Sequence, residues 1–381
     1  MTLWYEVQTC IRLRQNLSLP QQKELWDTIE RVLTEKLSRR LYFRRVISTE
    51  SCHLTSDDPS FPNDGKVEPP FVIADVPRLS LINEPQDPIS CRWRQCVSFI
   101  EVKRKTEYSP SRAHLKGEKA IKTLLQGADS ARRVLAARPF NLFVYGLYIS
   151  GDVFCVGYFD RWGIALSPDY NLTQEDGLRK FVYVVSRLLW DMSPTDLGQD
   201  PTVHLLPGHT YHGPVYPRYR VAMSTSEQAR YWLTVGPPLW VPRSLLGRGT
   251  AVWRVTDPSD IAQKLLILRT SWRSESRDCE RTACESILER LKESGQACKT
   301  NIAAPSLDEA VRIDSNRLLT MTQLRGFESM CPDIKTGAAD AVLHRVLIAC
   351  PGKPLWEYSS IEQFVRALRS ALLSKLTIRE L

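Results

Sequence analysis

Leu246-Gly247-Arg248-Gly249-Thr250-Ala251-Val252-Trp253-Arg254-Val255 is followed by an apolar run, Leu265 to Leu268, and then by Arg269-Thr270-Ser271-Trp272-Arg273. A helical stretch carrying Glu285, Ile287 and Leu288 comes next. Glycines in a turn leave their backbone N–H groups uncovered, so such a loop can lie against phosphate oxygens and donate to their charge. Gly247 and Gly249 would form that tip, and Val252 on the returning strand would roof a base. Taken singly, the Gly-x-Gly is a tight hairpin turn, Arg269 a charged strand end and Glu285 a solvated helix face. The ordered set of glycine loop, basic strand and acidic helix is the stronger signal, with Glu285 expected to reach back to Arg269.

The rest of the chain sets the frame. With 381 residues, two or three domains of roughly 100–200 residues are expected. At 43% hydrophobic and 25% charged, the composition is that of an ordinary globular protein. The net charge of +8 leaves acidic protein partners and nucleic acid open, although most of it reads as solvated surface. No stretch approaches the ~20 continuous apolar residues that a membrane-spanning helix requires. Met1-Thr2-Leu3-Trp4-Tyr5-Glu6 has no basic segment leading into an apolar one, so no secretory signal is expected. Ten scattered cysteines suit a reducing, intracellular compartment, cytoplasmic or nuclear. Cys91/Cys96 and Cys279/Cys284 do not have zinc-site spacing, and His204, His209 and His212 fall in a Pro/Gly-rich loop.

Periodicity predicts the organisation. Residues 1–48 read as helical from Leu25, Ile29, Val32, Leu33 and Leu37. Residues 49–90, rich in Ser, Asp and Pro, read as a loop or linker. Residues 91–190 read as an α/β module: a strand at Val97–Val102, a helix from about Gly117 to Leu135, a β-hairpin turning at Ser150-Gly151-Asp152, and a helix with Phe181, Val184, Val185 and Leu188 on its apolar stripe. Residues 191–217 read as a Pro/Gly-rich linker. From 218 to 381 the pattern restarts with strands, the glycine turn, a helix near 275–294, short strands near 318–326 and 342–349, and a helix from about 360 to 375.

Glu101-Val102-Lys103 closes the first of these strands, and residues two apart share one strand face. The unit resembles the PD-(D/E)xK restriction-endonuclease fold, whose chemistry needs an acidic pair to hold a divalent metal and a lysine at the phosphate. Asp87 is the candidate for the second acid, alongside Glu101 and Lys103. Lys103-Arg104-Lys105, with Arg112 and Lys116 beyond, would then follow a phosphate backbone. A degenerate structural unit with a solvated basic face is the plainer reading.

The glycine loop with Ser271-Trp272-Arg273 behind it resembles the fungal-type protein kinase family. So do, in order, Ile100-Glu101-Val102-Lys103, Arg138-Pro139-Phe140, Phe159-Asp160-Arg161-Trp162-Gly163, Leu197-Gly198-Gln199-Asp200-Pro201-Thr202, His344-Arg345-Val346-Leu347 and Gly352-Lys353-Pro354-Leu355. The resemblance covers roughly residues 90–381. It implies an α+β chain, a nuclease-like α/β module followed by a protein-kinase-like upper lobe that holds ATP with Mg2+ under its glycine loop. In kinases a strand lysine contacts the phosphates and pairs with a helix glutamate, while transfer belongs to a His-Arg-Asp catalytic loop and an Asp-Phe-Gly metal ligand. This chain departs at three points: the loop has no third glycine, Arg269 stands for the lysine, and His344-Arg345 is followed by Val346 in an apolar strand pattern. Arginine's planar fork is no conservative replacement for a compact ammonium. No residue is therefore expected to catalyse phosphoryl transfer. The expectation is a nucleotide-contacting lobe cut short of its catalytic elements, with a metal-dependent nuclease or nucleic-acid module, and a truncated product without independent activity, as the alternatives.

Overall fold

The computed structural model describes residues 44–49, 54–57, 68–76, 91–115, 117–224, 229–276, 280–293, 305–313, 317–326, 340–349 and 358–369. The chain divides into two compact units, Met1–Asp200 and Pro201–Leu381.

The first unit is built on a mixed sheet. Its strands β1 (Arg44–Ser48), β3 (Phe71–Asp75), β5 (Cys96–Lys103), β6 (Phe143–Ser150), β7 (Val153–Asp160) and β8 (Ile164–Leu166) are hydrogen-bonded in that order, and β9 (Tyr170–Asn171) also pairs with β7. Two short strands, β2 (Leu54–Thr55) and β4 (Cys91–Arg92), form a separate parallel pair. β5 and β6 are parallel and are joined by helix α1 (Glu118–Ala137), the crossover such a pair requires. Ala120, Gly127, Ala131, Val134 and Leu135 recur along its buried side. The helix stops at Arg138 (φ −120°, ψ 74°), the residue before Pro139, which disfavours helical backbone there.

α1 crosses the sheet closely. A Cβ placed on Gly127 would lie 1.7 Å from the Tyr148 hydroxyl and 2.6 Å from Tyr148 Cζ, so only glycine fits. Helix α2 (Glu175–Ser186) opens with Glu175 and Asp176, whose charge suits the positive end of the helix, and runs on into a π-turn at Arg187–Asp191. It packs against the core of Ile73, Ile100, Leu147, Phe154, Leu188 and Leu197, and the Phe154 and Phe181 rings meet edge to face at 5.3 Å.

Three sequence expectations are corrected here. Residues 44–48 form a strand, not a helix, because Val46 pairs with Ile73 and Ile47 is buried; residues 1–43 lie outside the described residues. Residues 71–75 are no linker but the second strand of the sheet, with Val72, Ile73 and Ala74 fully buried. The Pro/Gly-rich stretch 191–217 is folded too, with Leu197 in the core of the first unit and Val203–Leu205 a strand of the second.

The second unit is a seven-stranded sheet in which every neighbouring pair is antiparallel: β10 (Val203–Leu205), β11 (Tyr219–Ser224), β12 (Ala229–Thr234), β13 (Ala251–Thr256), β14 (Leu265–Ser274), β16 (Ala341–Ile348) and β15 (Pro305–Ala310), in that spatial order. Helix α3 (Glu280–Glu293) connects β14 to β15. Of the stretch expected as a strand near 318–326, Leu318 and Thr320 make isolated antiparallel bridges to Arg312 and Val342, and a single helical turn follows, α4 (Met321–Leu324), held by a capping box in which the Thr320 hydroxyl accepts from the Gln323 N–H. Residues 361–369 are helical, and the rest of the expected final helix lies outside the described residues.

Register sorts the sheet into two faces, since successive side chains on a strand point to opposite sides. Trp253, Leu268 and Leu347 form one buried row across β13, β14 and β16. Val252, Arg269, Val346 and Asp308 form a row on the other face, in register across β13, β14, β16 and β15.

Candidate functional site

The second row holds the site. The glycine loop enters it between Trp240, which is bridged to Val252, and the start of β13. Gly247 (φ +113°) and Gly249 (φ +58°) both adopt left-handed backbone that other residues resist. A Cβ on Gly247 would meet nothing within 4 Å, so glycine serves the backbone's turn there and leaves the loop open. The loop is tied to β14 by the Trp272 N–H, which donates to the Arg248 carbonyl at 2.8 Å. The loop backbone at Arg248 therefore lies beside the strand that carries Arg269.

Arg269 makes an ion pair with Glu280 on the first turn of α3. This differs from the sequence expectation. Glu285 lies one helical turn further on and is taken by Arg281, its i−4 neighbour, at 2.8 Å on the exposed surface. The basic residue and the helix acid do meet, but the acid is Glu280. Their side chains are 28% and 43% exposed, so both charges remain open to a ligand.

His344-Arg345 lies inside β16 and belongs to no catalytic loop. His344 Nδ1 is 3.3 Å from Asp308 Oδ1, while Arg345 turns to the opposite face, is buried, and donates to the Ala222 carbonyl at 2.5 Å.

In the first unit, Glu101 sits on β5, opposite Tyr148 in register and 2% exposed. Lys103 Nζ is 3.4 Å from Glu101 Oε2, so these two sequence candidates are brought together. Asp87 lies outside the described residues. Burial raises the Glu101 carboxyl above its ordinary value, and the charge and hydrogen bond of Lys103 only partly offset this. Glu101 Oε1, the Tyr148 hydroxyl and the Ser150 hydroxyl are buried with no hydrogen-bond partner. Among the described residues, no group of three or more His, Cys, Asp or Glu side chains is placed to hold a metal ion. Glu101 and Lys103 are thus placed together, while the third candidate of that set, Asp87, falls outside the described residues.

The raised Glu101 carboxyl sets a sign for stability. A carboxyl whose folded pKa exceeds its unfolded one favours the fold fully below the unfolded value, and that contribution is lost as pH rises through the folded value. Glu101→Gln removes this titration. We expect it to flatten the decline in stability of the first unit across that interval. Denaturant midpoints measured between pH 4 and 8 check this; an unchanged pH slope in the variant would refute it.

Sequence reasoning missed two residues of the candidate site, Glu280 and Asp308. Glu280 carried one signal, an acidic residue at the start of a predicted helix. Asp308 carried none, since its place follows from strand pairing.

A family model described as fungal protein kinase matches residues 80–377, most of the chain. No curated protein and no solved structure matches. Among the described residues, no helix is long and apolar enough to cross a membrane.

Proposed function

We propose, for a chain that belongs to the fungal protein kinase family, a nucleotide-binding upper lobe that holds ATP without transferring its phosphate. The observation that carries this reading is the Arg269–Glu280 pair joining β14 to α3, on the face that also presents Val252 and beside the glycine loop. Backbone N–H groups at Gly247 and Gly249 would donate to phosphate oxygens, and Val252 would lie against the base. The Arg269 fork would answer phosphate with one edge while Glu280 holds the other. ATP, when bound, supplies the triphosphate charge that this arrangement meets. Mg2+ would enter with the phosphates of ATP.

Transfer needs a base and metal ligands, and the chain's one His-Arg pair is locked in a strand. Purified protein is expected to melt at a higher temperature with Mg-ATP, by an amount equivalent to about 2.7 kcal/mol at a ligand concentration one hundred times Kd. Duplex DNA should give no such shift. No γ-phosphate label should pass to the chain or to a generic acceptor. Robust transfer would overturn the non-catalytic part of the reading, and an absent Mg-ATP shift would overturn the nucleotide part.

A further inference from the structure

Among the described side chains of α3, Arg281, Thr282, Ala283, Glu285 and Ser286 are exposed, while Glu280, Cys284, Ile287 and Leu288 are half-buried. Burial of apolar side chains stabilises a helix but is non-directional, so it does not by itself fix which turn of α3 meets which strand. Yet the site requires the first turn of α3 to bring Glu280 to Arg269.

One carboxylate supplies the missing constraint. Asp308 on β15 has a fully buried side chain whose neighbours come from three other elements. Its Oδ2 accepts from the Arg281 N–H at 3.1 Å, one of the amides that a helix leaves unsatisfied at its start. Arg273 Nη1 on β14 lies 3.7 Å from the same oxygen, and His344 Nδ1 on β16 is 3.3 Å from Oδ1. Burial alone would raise this carboxyl; the His344 and Arg281 hydrogen bonds and the charges of His344 and Arg273 outweigh it, so it sits below its ordinary value. An ionised group at a helix N-terminus also meets the positive end of the helix dipole.

We infer that Asp308 is the positioning residue for α3, fixing the helix's first turn on the sheet so that Glu280 stands at Arg269. Its functional sense rests on the nucleotide reading above, but the positioning itself can be measured in the ligand-free chain. Hydrogen–deuterium exchange of Asp308→Ala and Asp308→Asn should show α3 amides exchanging at least about tenfold faster, while amides of β13, β14 and β16 stay within about twofold of the parent chain. Asp308→Asn keeps the volume and one acceptor oxygen, so its effect on α3 should be the smaller of the two. The inference is overturned if α3 protection is unchanged in both variants. It is equally overturned if sheet and helix lose protection together in Asp308→Asn, which would make Asp308 a general core residue. Mg-ATP titration of the same proteins separates the two ideas: a parent chain that does not bind refutes the nucleotide reading and leaves the exchange result to decide the positioning role. Where the parent binds, a drop of about tenfold in affinity is expected for Asp308→Ala.

Discussion

Arg269→Ala is expected to weaken Mg-ATP binding by about 10- to 100-fold, the effect of losing a charge-assisted contact worth about 1.5–3 kcal/mol. Folding should hardly notice. The Arg269–Glu280 pair is partly exposed, and pairs of that kind contribute about 0–1 kcal/mol to stability. The ligand-free melting temperature of the variant should therefore stay within a few degrees of the parent. That separation is the test: isothermal titration against Mg-ATP reads binding, and a melt without ligand reads folding. Arg269→Lys refines it. A lysine keeps the charge but gives up the fork, so it can serve Glu280 or a phosphate well but not both with planar geometry. An intermediate loss is expected. Full binding by Arg269→Ala would remove the ion pair from the nucleotide site, and with it the main support for the proposed function.

The largest stability effect belongs to Trp253. Its side chain is fully buried in register with Leu268, which pairs in turn with Leu347, and its ring lies 5.9 Å from that of Tyr219 and 6.1 Å from that of Tyr216. Trp253→Ala should cost about 3–5 kcal/mol, the usual penalty for emptying so large a core position. Small domains hold only about 5–15 kcal/mol in total, so the second unit is expected to melt far earlier. Differential scanning calorimetry, with transitions assigned by limited proteolysis, checks this. A shift equivalent to less than about 1 kcal/mol would show that the face does not pack as described. Trp253 neighbours Val252 along β13, so a loosened core face would also disturb the site face directly behind it.

Much of this architecture was legible where periodicity is strong. The helix at 118–137, the hairpin around Gly151 and the long strand bearing Arg269 follow from apolar spacing and turn chemistry. β3 escaped because Phe71-Val-Ile-Ala-Asp75 is covered on both faces and shows no alternation, and because the segments around it are rich in proline and acid. The turn at Met321–Leu324 had a readable mark, the Thr320-x-x-Gln323 box, which its apolar Leu318, Leu319 and Met321 obscured. Glu280 was misassigned to Glu285 for a different reason. Spacing along the chain fixes neither where a helix begins nor which turn faces the sheet. The i,i+4 partner Arg281 then draws Glu285 onto the solvent side. Asp308 follows from the crossing of β15 beyond β16, a long-range pairing that no local pattern encodes.

The contact between Gly127 and Tyr148 constrains how this chain can be altered in laboratory evolution. Adding a methyl group at 127 collides with the ring, and deleting only the hydroxyl from 148 still leaves Cζ 2.6 Å away. Neither position can move alone toward a bulkier 127. A random library with one change per clone should return glycine there, whereas a library varying both codons together could reach variants that trade volume from the strand to the helix. The two residues, distant in sequence, behave as one unit of heredity.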